Sequence, residues 1–266
     1  MIKEILVPVD FSEEAENALF YAAEIAKRKS TPLTILHAQS NPENLSLDQQ
    51  QLTYLQTKVQ NRFGSELSCE THLTGDNLLS ALGQANKDPK STIIVMGTKG
   101  ASGLKKLLIG SNTVNVLASS KSPVLVIPGT ARFEDFNKTG KNRVVLATDL
   151  EETQNEAGYN VLSEILELMI QPKLRILNVR PKNTTLNPSQ QLQRSALLSG
   201  FGEEVETERI TVFSSNVMNG INFYLDKNSD TGMIVMIARD SGGLFQKHFT
   251  REMASITHFP LLILKE

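Results

Sequence analysis

Gly97-Thr98-Lys99-Gly100, then nine residues, then Gly110-Ser111-Asn112-Thr113 is the spacing in this chain that could do chemistry. It directly follows an apolar, β-branched run, Thr92-Ile93-Ile94-Val95-Met96. Two glycines three apart, just past a strand, let the backbone approach a bulky anion with no Cβ in the way. The third glycine, with two hydroxyl residues around one asparagine, opens a helical pattern from Thr113 to Ser119. The free N–H groups and positive dipole end of such a helix favour phosphate. The spacing therefore predicts a cradle for the phosphates of a nucleotide.

The elements that must hold this loop are written twice. Glu4-Ile5-Leu6-Val7-Pro8-Val9-Asp10-Phe11 matches Arg143-Val144-Val145-Leu146-Ala147-Thr148-Asp149-Leu150: an apolar strand, an aspartate, then a large apolar residue. Leu33–Ala38 matches Leu174–Val179, Ile93–Met96 matches Ile234–Met236, and Ser122–Ile127 matches Phe259–Leu264. The matches keep their order at a displacement of about 140 residues, too long for a solenoid and right for a duplicated domain. Between the strands, Ala15, Ala18, Leu19, Ala22, Ile25 and Ala26 form one apolar helix face. Ser12 caps that helix, Glu13 and Glu14 fill its first turn, and Lys27-Arg28-Lys29 its last. A second helix is predicted from Ser46 to Phe63 with Gly64 as its stop, and a third from Asp76 to Asn86. Strands alternating with helices imply right-handed crossovers and a parallel sheet covered on both faces. The predicted fold is α/β: two tandem Rossmann-like domains, each a five-stranded parallel sheet with helices on both faces. The first spans residues 1–129 and the second 141–266. Residues 130–140 form a linker in which Phe133 and Phe136 are placed to grip a domain surface.

Composition bounds the function. The chain has 266 residues, 40% of them hydrophobic and 21% charged, as in ordinary soluble domains. A formal net charge of −2 argues against a general nucleic-acid binder. The single cysteine, Cys69, precludes an intrachain disulfide and fits a reducing compartment. No run approaches the roughly 18 apolar residues of a membrane span, so a cytoplasmic protein with no membrane partner is expected.

In an open parallel sheet, ligands sit beyond the carboxyl ends of the strands where the strand order reverses. Asp10 and Gly97 end two strands that would share such a crevice. There the carboxylate can accept from ribose hydroxyls or an adenine amino group. These residues together make the first half resemble the universal stress protein family. Its pattern of glycine, two residues, glycine, nine residues, glycine and then serine or threonine is met by Gly97, Gly100, Gly110 and Ser111. Its opening Pro-x-Asp-x-Ser is met by Pro8-Val9-Asp10-Phe11-Ser12, and its closing Pro-Val-Leu-Val-Ile by Pro123–Ile127. The resemblance implies an adenine nucleotide, ATP foremost, bound with magnesium. Pro8, Val9, Asp10, Met96 and Gly97 would line base and sugar; Lys99, Gly100, Gly110, Ser111, Asn112 and Thr113 would carry the phosphates. It also implies a stress-response regulatory module whose domains pair as a pseudo-dimer through their last strands, or as a homodimer of two chains. Lys105 and Lys106 would add charge near the polyphosphate or serve as solvated loop lysines.

The second half lacks the pattern. With Gly243-Leu244 on Gly103-Leu104, Ile237 takes the place of Gly97 and Asp240 that of Gly100, while Thr250 or Lys247 replaces Gly110. An aspartate would repel phosphate, and isoleucine does not readily adopt the backbone angles open to glycine. Arg239, Lys247, His248 and Arg251 could attract another anion, but a solvated helix face is the expectation. No catalytic constellation emerges: His37, His72, His248 and His258 share no zinc-ligand spacing with Cys69, and neither a Gly-x-Ser-x-Gly elbow nor a Gly-x4-Gly-Lys-Ser/Thr loop is present. The alternatives to a nucleotide-binding regulator are a weak ATPase and a nucleotide-free dimerisation scaffold.

Overall fold

The computed structural model describes all residues except 40, 99–109, 136–140, 153–155, 240–257 and 266. The chain forms two compact units, each holding five parallel strands. In the first, β1 (Glu4–Pro8), β2 (Leu33–Ala38), β3 (Cys69–Thr74), β4 (Thr92–Gly97) and β5 (Val124–Ile127) lie in the order β3-β2-β1-β4-β5. Helices α1 (Glu13–Lys29), α2 (Leu45–Phe63), α3 (Leu78–Ala85) and α4 (Ser111–Ser119) connect them. Ile5, Leu6, Val7, Ile93, Val95 and all of β5 are essentially inaccessible, as strands covered on both faces must be.

Local chemistry explains the helix ends. Ser12 accepts from the Ala15 N–H and caps α1, while Ser30 closes it in the left-handed region at φ 51°. The six apolar positions read as one face of α1 are all buried. Gly64, at φ +102°, stops α2. Two boundaries move. Asn77 and Asn86 cap α3 from outside, so that helix is shorter than its pattern. Helix α4 begins two residues earlier than its pattern suggests, with Gly110 as N-cap, which puts Ser111 and Asn112 in the first turn.

The second unit holds β6 (Arg143–Ala147), β7 (Lys173–Arg180), β8 (Glu206–Phe213), β9 (Thr231–Ala238) and β10 (Leu261–Lys265) in the order β10-β9-β6-β7-β8, the mirror listing of the first. Its described helices are α5 (Glu156–Leu166), α6 (Pro188–Ser199) and α7 (Val217–Lys227). Phe11 (φ 62°) and Leu150 (φ 61°) take the same left-handed conformation just past β1 and β6, so both halves kept one sharp strand-end turn.

The central ladders differ in a telling way. The β6–β9 pairing runs on to Ala147 opposite Met236, whereas the β1–β4 pairing stops at Leu6 opposite Ile94. Pro8 stands where the second half has Ala147. With no N–H to donate, proline cannot continue a ladder, and β1 and β4 part there. Between β5 and the second unit, Asn17 of α1 donates to the carbonyls of Pro128 and Ala131 at 3.1 and 3.0 Å. Phe133 is buried edge-on against Tyr21, with the Arg28 guanidinium over its ring. Its expected partner in this role, Phe136, lies outside the described residues, and no described helix is long and apolar enough to cross a membrane.

Candidate functional site

The parting of β1 and β4 leaves a cavity of about 180 Å³ at their carboxyl ends. Pro8, Val9 and Asp10 line one wall; Met96, Gly97 and the first turn of α4, from Gly110 to Thr113, line the other. The residues singled out in the sequence thus surround one space, apart from Lys99 and Gly100, which lie outside the described residues along with Lys105 and Lys106. The cavity also touches Ser12, Glu14 and Ala15 of α1, His37 and Ala38 of β2, and Leu78 of α3. Of these Ser12 carries a sequence signal as a helix cap, and His37 as a polar residue closing an apolar strand; Ala38 and Leu78 enter because chain crossovers bring their elements to the same sheet edge.

Asp10 is exposed and its Oδ1 accepts from the Ser12 N–H at 3.1 Å and from the Ser12 hydroxyl. That leaves Oδ2 and the remaining Oδ1 capacity to face the cavity. His37 is buried behind this edge. Its Nδ1 donates to the Val9 carbonyl at 2.7 Å, its ring packs 4.3 Å from that of Phe11, and its Nε2 lies 3.6 Å from Asp48 Oδ2. The bond to Val9 fixes the strand end that the cavity uses. Asn178 repeats it in the second half, donating to the Thr148 carbonyl at 3.0 Å.

On the other wall, Thr113 is buried and its hydroxyl donates to the Gly97 carbonyl at 3.2 Å, latching α4 to β4. The first bond within α4 runs from the Val114 N–H to the Gly110 carbonyl, so the N–H groups of Ser111, Asn112 and Thr113 have no partner within the helix.

Gly97 meets a different need from the one read in the sequence. A Cβ there would lie 2.5 Å from the Glu14 carbonyl oxygen, so the close approach is to the first turn of α1 rather than to an anion. Its φ is not in the left-handed region either, so the backbone-angle argument against Ile237 falls away. Backbone cannot swing aside as a side chain can. Gly97→Ala should therefore destabilise by about 1–3 kcal/mol, read as a lower denaturation midpoint; an unchanged midpoint would mean the turn yields freely. Ile237, at the corresponding place in the second half, is a buried side chain.

Arg239 overturns a second expectation. It stands at the position of Lys99 but is no solvated side chain. It is buried, its Nη1 pairs with Asp149 Oδ1, and its Nη2 donates to the Glu151 carbonyl at 2.8 Å. Asp149, the counterpart of Asp10, is 3% exposed and already committed. One oxygen of the Asp149 carboxylate is thus taken by this chain's own guanidinium. Asp240, Lys247, His248, Thr250 and Arg251 lie outside the described residues.

Two parallel α/β units with a crevice at a reversal of strand order are a pair of Rossmann-like domains. Residues 1–128 match the model of the Universal stress protein family. Universal stress protein MJ0577 of Methanocaldococcus jannaschii is 29% identical over 154 residues, covering 48% of this chain and 95% of that protein. Universal stress protein YxiE of Bacillus subtilis is 26% identical over 148 residues, covering 48% and 99%. The crystal structure of a universal stress protein from Archaeoglobus fulgidus shares the fold over 99% of this chain and 98% of its own, with a TM-score of 0.71 at 16% identity. The first half is thus similar in sequence to universal stress proteins, and the chain as a whole shares the fold of a solved one.

Proposed function

We propose that the chain is a tandem universal stress protein whose first half binds an adenine nucleotide, ATP foremost, and whose second half does not. One observation carries this reading: the crevice opened at Pro8 ends on the unpartnered N–H groups of α4 on one side and on Asp10 on the other. Phosphates would take the helix end, where dipole and donors favour anions. Asp10 would accept from the ribose, and Val9 and Met96 would flank the base. Magnesium enters as part of the nucleotide: among the described residues no cluster of three or more Asp, Glu, His or Cys is placed to hold an ion, and Mg²⁺ commonly rides on substrate phosphates with one or two carboxylates. The role is regulatory, a nucleotide-loaded surface read by a partner that distinguishes the loaded from the empty state. Self-association of the chain belongs to the same proposal and is read by sedimentation velocity.

Calorimetric titration with MgATP tests the core of this reading. One nucleotide per 266-residue chain is expected. No heat at millimolar MgATP, with no nucleotide released from gently purified protein, would overturn it and leave the scaffold alternative.

A further inference from the structure

Strand β8 ends the strand order of its unit and, among the described residues, pairs with β7 alone. Its register runs unbroken from Glu206 opposite Lys173 to Phe213 opposite Arg180, with no bulge and no proline. The Glu206 N–H donates to the Pro172 carbonyl at 3.2 Å, and the Ser214 N–H to the Arg180 carbonyl at 3.0 Å. In such a parallel ladder every second residue bonds inward, so Glu206, Glu208, Ile210 and Val212 turn their backbone to β7. The N–H and C=O groups of Thr207, Arg209, Thr211 and Phe213 point the other way, where no described strand lies. An open row of this kind is a template for a further strand.

The side chains say which strand fits. The acids of β8 are tied within its own sheet: Glu206 pairs with Lys173 at 2.8 Å, and Glu208 with Arg175 at 2.9 Å. Arg209 and Thr211 are exposed, and Phe213 is 54% exposed. A second copy of this strand, running antiparallel, can exchange paired bonds only between outward-pointing residues. The register that uses every one of them sets Arg209 against Thr211 and Thr207 against Phe213, each twice, with Ile210 against Ile210 on the two-fold axis. Moving the axis to Arg209 opposes two guanidinium groups, and moving it to Glu208 opposes two carboxylates, both unfavourable. Moving it towards Phe213 shortens the ladder. The full-length register is thus self-complementary: no like charges face each other, and its centre is apolar.

We propose that two copies of the chain associate edge to edge through β8, antiparallel, with Ile210 on the axis. This deepens the self-association proposed above by giving it a surface, and that surface is neither β5 nor β10, the strands expected to pair from the sequence. The contact uses the same patch on both copies, so it closes at a dimer rather than growing into a filament.

Sedimentation velocity of the full chain over a micromolar concentration range tests the proposal, with three substitutions at the exposed Thr211. The wild type should form a reversible dimer. Thr211→Pro deletes an outward N–H, which a free strand edge tolerates, and should leave a monomer. Thr211→Arg sets a like charge against each Arg209 and should weaken the dimer roughly threefold or more, whereas Thr211→Asp sets an opposite charge there and should strengthen it by a similar factor. The melting temperature and the MgATP affinity of the monomer should stay at their wild-type values, which separates a broken contact from a broken fold. If Thr211→Pro lowers the melting temperature, the opposite signs of the other two variants decide. A wild-type dimer that these variants leave unchanged overturns this inference and leaves self-association to another surface. A wild type that stays monomeric overturns both and leaves the edge to an extended segment of another protein. Neither outcome touches the nucleotide reading.

Discussion

Arg239→Met should cost the second unit about 3–5 kcal/mol, one of the two largest effects expected from a single substitution in this protein. Asp149 and Arg239 are both buried, with side chains 3% and 5% exposed. Removing the guanidinium leaves the carboxylate in a low-dielectric place with the Glu151 N–H, at 3.1 Å, as its remaining support. The loss is a measure of the charge stranded rather than of the pair's net worth, because two charges brought together out of water gain little over a well-packed apolar pair. The double replacement Asp149→Leu with Arg239→Met should therefore recover most of what the single one loses. Urea denaturation of the three variants decides the matter, and the difference should survive added salt, since buried pairs are poorly screened. A single-variant loss below about 1 kcal/mol would place the pair among ordinary surface ion pairs and undo the reading of it as a buried, mutually dependent pair.

Gly110→Asp should abolish nucleotide binding without weakening the fold. Gly110 sits at φ −61°, ψ 146°, angles that any residue adopts, and it is the N-cap of α4. Aspartate is among the best N-caps, and its carboxylate would accept from the N–H groups two and three residues on, those of Asn112 and Thr113. It would also satisfy the helix dipole from within. The substitution thus spends on a side chain the same donors that phosphate would use, and adds a negative charge beside them. MgATP affinity is expected to fall at least a hundredfold, on the order of 3 kcal/mol, while the melting temperature holds or rises. Retained binding would mean that the phosphates lie elsewhere in the crevice and that the helix end is not their seat.

Much of the architecture is legible in the residues because its causes are local. Ser12 is a cap wherever two glutamates and an apolar stripe follow it, and Gly64 ends a helix by its own backbone freedom. The repeat carries the rest, since a strand covered on both faces needs the same apolar run in either half. What was misread depended on neighbours distant in the chain. Gly97 looks like a ligand's glycine, yet the Glu14 carbonyl that demands it sits on another element. Arg239 among polar residues looks solvated, because nothing local reveals that Asp149 lies ninety positions away and within reach. Ala38 and Leu78 carry no chemical signal at all; only the crossovers bring them to the cavity. Thr113 lines the cavity as its position in the motif suggests, but its hydroxyl serves the protein by holding the Gly97 carbonyl.

The bonds from Asn17 have a mechanical consequence. Helix α1 meets the cavity through Ser12, Glu14 and Ala15, and less than one turn further on it grips Pro128 and Ala131 through a single amide. The same helix holds Phe133 against Tyr21 and Arg28. The chain leaving the first unit is therefore fastened to α1 at two heights, as a pointer is pinned to a dial. Residues 128–133 are thus held in fixed register with the helix whose first turn borders the cavity.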